Sequence, residues 1–529
     1  MSLLRLARTI APLRPVQIWG RARFRLLRPR PELAPAPARR GLSGWIAPVA
    51  KRATLTGPAE ARFLNETASI AGAGAWNDPE RAKLWLYNLH YFDELAAPGD
   101  AERRHWRRDL VARWIAENPP GAGNGWEPYP TSLRIVNWIK WALAGAPFEP
   151  AWLDSLAAQA RWLMRRLEWH LLGNHLFANA KALVFAGLFF AGPEAERWLA
   201  KGRDILGREI PEQILADGGH FELSPMYHSI LYEDVLDLLN LLRATARDDG
   251  EWRAAAERMG DWLAAMVHPD GRIAFFNDAA FGIAPEPAEL FAYAVRLGLR
   301  PPAVPRDGVT HLRESGYVRL QNADAVALID VARIGPDYLP GHAHADTLSF
   351  ELSVGGERVV VNGGTSTYAG PSRGLERSTA AHSTVEVAGT SSSELWASFR
   401  AGRRARIVEL AIGENGVTAA HDGYRTLPGR PLHRRTWRLE PGRLVVEDEI
   451  GASAAAVARF HLAPGLAPQP NGARAVHVRT PHGRALRFEA SVPLALEPSR
   501  WACEFGRVEP TTALTAPASP APLTTAISW

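Results

Sequence analysis

At 529 residues the chain exceeds the roughly 250 to 300 at which one hydrophobic core stops growing, so two sizeable domains are expected. Hydrophobic residues at 47% and charged residues at 22% match the usage of water-soluble globular proteins and exclude a disordered or fibrous chain. A single cysteine, Cys503, excludes an internal disulfide and a thiolate zinc cluster, so any metal site would draw on nitrogen and oxygen.

The net charge of +5 is unevenly placed. Ten arginines against one acid, Glu32, give the first forty residues about +9 and leave the remainder slightly acidic. A nucleic-acid binder spreads its basic residues over a folded face, so this distribution argues against nucleic acid. Arginines recur too often in MSLLRLARTIAPLRPVQIWGRARFRLLRPRP for the apolar run of a secretory signal, and cytoplasmic and periplasmic locations both remain consistent. Residues 1–54 are therefore expected to form a basic arm. It could wrap on the protein's own acidic surface or make peripheral contact with an anionic membrane, its Leu, Ile, Trp and Phe lying among the arginines.

From about residue 55 to 305 the apolar spacing is helical. Trp152, Leu156, Ala160, Leu163, Leu167 and Leu171 step by three or four along one stripe, which Gly173 is expected to end. Similar patterns at 105–117, 131–145, 177–191, 230–246 and 252–267 predict helical hairpins. Fifteen of the nineteen tryptophans precede residue 300, most of them expected to fill gaps between helices and a subset suited to stacking on sugar rings. Two polar groups interrupt this region. GNHLFANAKAL sets Asn174 and His175 at a helix entrance, where Asn would serve as an N-cap and donors can be aimed at an anion. DGGHFELSPMYHSI gathers His220, Glu222, Tyr227 and His228 around a Ser-Pro break.

After PPAVPRDG the pattern changes to short runs such as AVALIDVA, ERVVVNGG, STVEVAG and RLVVEDEI, broken by glycine turns, and residues 306–529 are expected to form an antiparallel β-sandwich. GHAHADTLSFEL stands at one strand entrance. Its His342 and His344 would share a strand face about 6.6 Å apart, and could straddle one metal or serve two separate tasks. With Asn362 and His382 they make a candidate cation site built without cysteine.

The motifs GNHLFANAKAL, DGGHFELSPMYH, GHAHADTLSFEL, VVVNGGTSTY and ERSTAAHSTVEV, in this order from about residue 80 to the end, resemble the heparinase II and III family of polysaccharide lyases, which also includes alginate lyases. The resemblance implies an N-terminal (α/α) toroid, a C-terminal antiparallel β-sandwich, and an acidic polysaccharide substrate held between them. It implies that Asn174 and His175 neutralise a uronate carboxylate, that Tyr227 acts as acid or base, and that His342 completes the catalytic set. His344 and His382, with Asn362 where relatives carry Asp, fall at a structural zinc-like site; a neutral amide is a poorer cation ligand than a carboxylate. The chemistry itself requires no cofactor.

Arg134, Glu222 and Tyr368 are further candidates for gripping the polymer. Two alternatives stay open on the sequence: a toroid glycoside hydrolase using Glu222 and Asp278 as its carboxylate pair, and a non-catalytic polysaccharide-binding protein of an exopolysaccharide system.

Overall fold

A computed structural model describes residues 3–99, 101–451 and 454–529; Met1 and Ser2 of the basic arm, with Asp100, Ala452 and Ser453, lie outside the described residues. Twelve α-helices are assigned among the described residues. The arm contributes α1 (Leu3–Ile10) and α2 (Pro15–Leu26). The helical half follows with α3 (Lys83–Tyr91), α4 (Ala101–Glu117), α5 (Pro128–Leu143), α6 (Pro150–Arg165), α7 (Gly173–Phe189), α8 (Pro193–Gln213), α9 (Pro225–Ala244), α10 (Gly250–Ala265) and α11 (Pro287–Arg296), and α12 (Gly370–Glu376) interrupts the strands. Pro128, Pro150, Pro193, Pro225 and Pro287 open their helices, where a missing N–H costs nothing and the fixed φ is already helical.

The helices form hairpins of an (α/α) toroid around a core that buries Trp76, Trp85, Trp114 and Trp138 completely. Three expectations are corrected. Residues 55–69, expected to be helical, form a three-stranded antiparallel meander of Leu55–Gly57, Glu60–Phe63 and Glu66–Ser69. The stripe from Trp152 breaks at Arg165 rather than running to Leu171, so Gly173 opens α7 instead of closing α6. Helix α8, absent from the predicted hairpins, carries Gly202, Gly207 and Pro211, which interrupt its periodicity.

The strands of the second half begin at Gly308. Two antiparallel sheets of eight and nine strands face each other over a core containing Phe350, Trp437, Phe460 and Phe488. The expected runs appear as Ala325–Asp330, Glu357–Val361, Val385–Val387 and Arg443–Ile450. The hairpin Ala495–Glu504/Arg507–Pro517, at one edge of the larger sheet, joins the helical core. There Trp501 packs 5.6 Å from Phe275 and 5.7 Å from Phe281, and Cys503 and Phe505 are buried with the helices. Among the described residues no helix is long and apolar enough to cross a membrane.

Candidate active site

Tyr227 sits in the first turn of α9, fixed by a local device. Ser224 is the N-cap, its hydroxyl accepting from the Tyr227 amide at 3.1 Å while it donates to the carbonyl of Asp278. Pro225 at the first helical position sets the entry direction. The Ser-Pro break thus places the tyrosine with a defined heading.

The ring of Tyr227 stacks on that of His342, with centroids 3.8 Å apart and planes 16° from parallel. Its hydroxyl lies 2.7 Å from that of Tyr368. Burial, then the neighbouring Tyr368 and Asp278, hold the Tyr227 phenol well above its ordinary pKa. It is therefore a protonated group at neutral pH.

His342 meets the Glu222 carboxylate through Nδ1. The carboxylate acceptor makes Nδ1 the donor, so that in the neutral ring the lone pair sits on Nε2, which is unbonded among the described residues on a ring 14% exposed. Burial alone would raise Glu222, but the His342 ring and the Asn174 backbone amide bring its carboxyl below the usual range. Glu222 is 1% exposed, so it orients the histidine and is closed to direct contact with a polymer.

The N-terminus of α7 abuts this carboxylate. Gly173 has φ of +54°, and a Cβ there would lie 2.3 Å from Leu339 and 3.0 Å from the second Glu222 oxygen, so only glycine fits. Asn174 is the second residue of the helix and not its N-cap, a place taken by Leu172, and its side chain bonds to no described residue. His175 contacts Glu168 at 3.2 Å and packs 4.5 Å from the Tyr129 ring. Burial lowers its pKa, but Glu168 more than offsets this and the net shift is upward. From His175 the aromatic row continues through Tyr129, Tyr91 and Tyr87 at 5.9 and 6.3 Å spacing. The rings beside the site are tyrosines; the sequence signal was Tyr87 and Tyr91, four residues apart on one face of α3.

His342 and His344 do not share a strand face. Both precede the strand Phe350–Val354, and they take separate tasks. His344 is fully buried, with Nε2 2.7 Å from Asp278 Oδ1 and Nδ1 3.1 Å from His382 Nε2. His382 donates through Nδ1 to the Ser378 carbonyl at 2.7 Å. The Asn362 amide is saturated: it donates to Phe275 O at 3.0 Å and Ser349 Oγ at 3.2 Å and accepts from the Ser383 amide at 3.0 Å. As arranged, His344, Asn362 and His382 do not fit a divalent cation. The two rings face each other, the amide is bonded to Phe275, Ser349 and Ser383, and among the described residues no three His, Cys, Asp or Glu side chains are placed to hold a metal ion.

A guanidinium is the positive charge at this point. Arg373 of α12 pairs with both oxygens of Asp278, at 2.8 Å through Nη2, and also donates to Gly341 O at 3.3 Å and Ser398 O at 3.0 Å. Arg377 donates to Ala343 O at 3.0 Å and Pro340 O at 3.4 Å. The Asp278 amide reaches the His342 carbonyl at 2.9 Å. Two buried arginines and one aspartate thus hold the loop carrying His342 by successive carbonyls. Asn277 ties the same loop to the α9 entrance, accepting from the His344 amide at 3.0 Å and donating to Leu223 O at 2.8 Å. Arg377 lies inside ERSTAAHSTVEV, Arg373 between that motif and VVVNGGTSTY, and Asn277 beside Asp278, but no local pattern marks any of the three as a support of this loop.

Arg134 is a correction. It is fully buried in the helical core, 3.8 Å over Trp114, donating to Gln159 at 2.9 Å and His90 O at 3.3 Å, so it cannot grip a polymer. His220 and His228 are also internal; burial pushes His220 down to about 4 and His228 to about 3, and they bond Gln213 and the Met259 carbonyl. The hydrolase pair fails as well, because Asp278 is locked between Arg373 and His344 and Glu222 is committed to His342.

Two family profiles match the chain: "Heparinase II/III N-terminus" over residues 106–285 and "Heparinase II/III-like, C-terminal" over residues 304–529. A heparin-sulfate lyase of Bacteroides stercoris is 26% identical over 313 residues, covering 55% of this chain and 45% of that protein. One from Pedobacter heparinus is 25% identical over 358 residues, covering 59% and 53%. The chain spans about half the length of these curated relatives. Among solved structures, a heparinase III superposes with a TM-score of 0.67 at 18% identity, covering 88% of this chain and 79% of that one, and a Streptomyces coelicolor chondroitin AC lyase with 0.51 at 12%, covering 84% and 74%. At such identities the structural likeness speaks for the fold.

Proposed function

The chain belongs to the heparinase II/III family, and from that premise we propose that it is a polysaccharide lyase cleaving a uronate-containing glycosaminoglycan by β-elimination. The observation carrying this reading is the stacked pair Tyr227–His342, a protonated phenol beside an imidazole whose free Nε2 is directed by Glu222.

Removing the C5 proton next to a carboxylate builds a second negative charge. The unbonded Asn174 amide and the His175 ring, both at the mouth of α7, would neutralise that carboxylate; losing one such donor costs on the order of a hundredfold or more in rate. His342 Nε2 takes the C5 proton. The C5–H electron pair becomes the C4=C5 double bond, the C4–O bond breaks, and the Tyr227 hydroxyl gives its proton to the departing oxygen. Tyr368, bonded to that hydroxyl, can resupply it. Every step draws on protein groups.

Incubation with heparan sulfate, chondroitin, hyaluronan and alginate tests the reading by the ultraviolet absorbance of the unsaturated uronyl end. New reducing ends without that chromophore would mean hydrolysis, and binding with neither would mean a non-catalytic protein.

His175 also gives a pH dependence. The ring faces Glu168, Glu222, the Tyr129 ring and His170, and its raised pKa keeps it charged above the usual histidine range. The charge is present below that pKa and lost as pH rises through it, so KM for an acidic substrate should climb across that interval. In Glu168→Gln the climb should shift to lower pH with kcat less affected. A KM profile indifferent to this substitution would remove His175 from substrate binding.

A further inference from the structure

The N-terminal helices carry a surface that the catalytic reading does not use. Helix α2 is laid on the protein by one face. Gln17 donates to the Tyr338 carbonyl at 3.2 Å, a Cβ on Gly20 would come within 3.0 Å of the His170 backbone, and Phe24 lies 4.3 Å from the His170 ring and under the Arg166 guanidinium at 3.6 Å. With 3.6 residues per turn, the opposite face presents Ile18, Ala22 and Leu26 in line, with Trp19 beside them. Ile18 is 56% exposed, Trp19 58% and Leu26 80%. Arg21 and Arg25 flank this stripe on one side and Arg23 on the other, all exposed, and none of them meets a carboxylate among the described residues.

Helix α1 repeats the arrangement. Arg5 pairs with Glu394 and Thr9 accepts from the Trp396 indole, which anchors it to the sandwich, while Leu3, Leu4 and Ile10 remain exposed. Eight of the eighteen large exposed hydrophobic residues of the described chain fall between Leu3 and Leu33, so apolar exposure is concentrated in this arm.

We propose that α1 and α2 form a docking surface for an anionic lipid bilayer. An apolar stripe bordered on both sides by arginines is the arrangement that lies in the plane of an interface, with the apolar side chains below the headgroups and the guanidinium groups among them. A soluble acidic polymer would be served by the arginines alone and would leave Ile18, Trp19 and Leu26 in water. The contact is peripheral and independent of the lyase reading.

Sedimentation of the full chain with vesicles tests it. Vesicles of phosphatidylcholine mixed with phosphatidylglycerol should bind on the order of tenfold or more tighter than pure phosphatidylcholine, with the preference weakened by salt. Ile18→Glu/Trp19→Glu should abolish binding and Arg21→Glu/Arg25→Glu should reduce it, with the melting temperature and any product formation unchanged because these side chains are exposed. Absence of vesicle binding, equal binding to both compositions, or binding indifferent to Ile18 and Trp19 would overturn the proposal. Retention on soluble heparin through the same arginines, without vesicle binding, would assign the surface to polysaccharide instead.

Discussion

Tyr227→Phe is expected to remove formation of the unsaturated product, with kcat falling roughly 10²- to 10⁴-fold, the usual contribution of a positioned proton donor. The ring stays, so the 3.8 Å stack on His342 and the packing in the first turn of α9 are retained. Only the hydroxyl and its bond to Tyr368 are lost, a neutral hydrogen bond contributing about 0.5–1.5 kcal/mol. The fold should therefore survive, and KM should change far less than kcat because the phenol acts on the leaving oxygen in the transition state. Tyr368→Phe should have a smaller effect, since it removes the group that resupplies the proton. A Tyr227→Phe protein with full turnover would show that another group protonates the leaving oxygen.

Asp278→Ala is expected to destabilise the protein by about 3–5 kcal/mol, the range for breaking a buried ion pair from one side. The carboxylate is fully buried and accepts from Arg373 and Thr365 while contacting His344; without it the Arg373 guanidinium is left as a buried charge with no counter-ion. The measurement is the urea midpoint with an unchanged denaturant slope. Adding Arg373→Met removes the unmatched charge, and the double variant should recover much of the stability. Activity should not recover with it, because Gly341, next to His342, still lacks its guanidinium donor. If the single variant melts within about 1 kcal/mol of the parent, the site tolerates the unmatched charge through water and the Arg373–Asp278 pair does not hold this loop.

The two substitutions separate two layers of the site. In the proposed mechanism Tyr227 and the open nitrogen of His342 face the reacting atoms, while Asp278, Arg373 and Arg377 hold the loop on which His342 stands. The proposed reaction would depend on both, since a displacement of about 1 Å in a catalytic group can cost 10²-fold.

The division into a helical half and a strand-rich half was legible in the sequence because it is a local property. Side-chain periods of 3.6 and 2 residues are written into neighbouring positions, and Pro at helix starts or glycine at turns acts within a few residues. The same holds for the Ser-Pro device that aims Tyr227, and for the five motifs that carried the family resemblance. Where local signals were weak or ambiguous the reading failed, as with α8, the meander at 55–69 and the break after Arg165.

What the sequence could not decide is which distant group each side chain meets. Glu222 reads as a polymer contact or a hydrolytic acid until the closing of the two halves sets it against His342, 120 residues away. Arg134 reads as a surface cation until the hairpins bury it over Trp114. His342 and His344, two positions apart, separate into a half-open environment beside Tyr227 and Glu222 and a closed one between Asp278 and His382, because the loop between them leaves the strand path, held by arginines 30 or more residues downstream. A buried charge must find its counter-charge wherever the chain brings one, and that pairing is a property of the closed fold, invisible to any window of neighbouring residues.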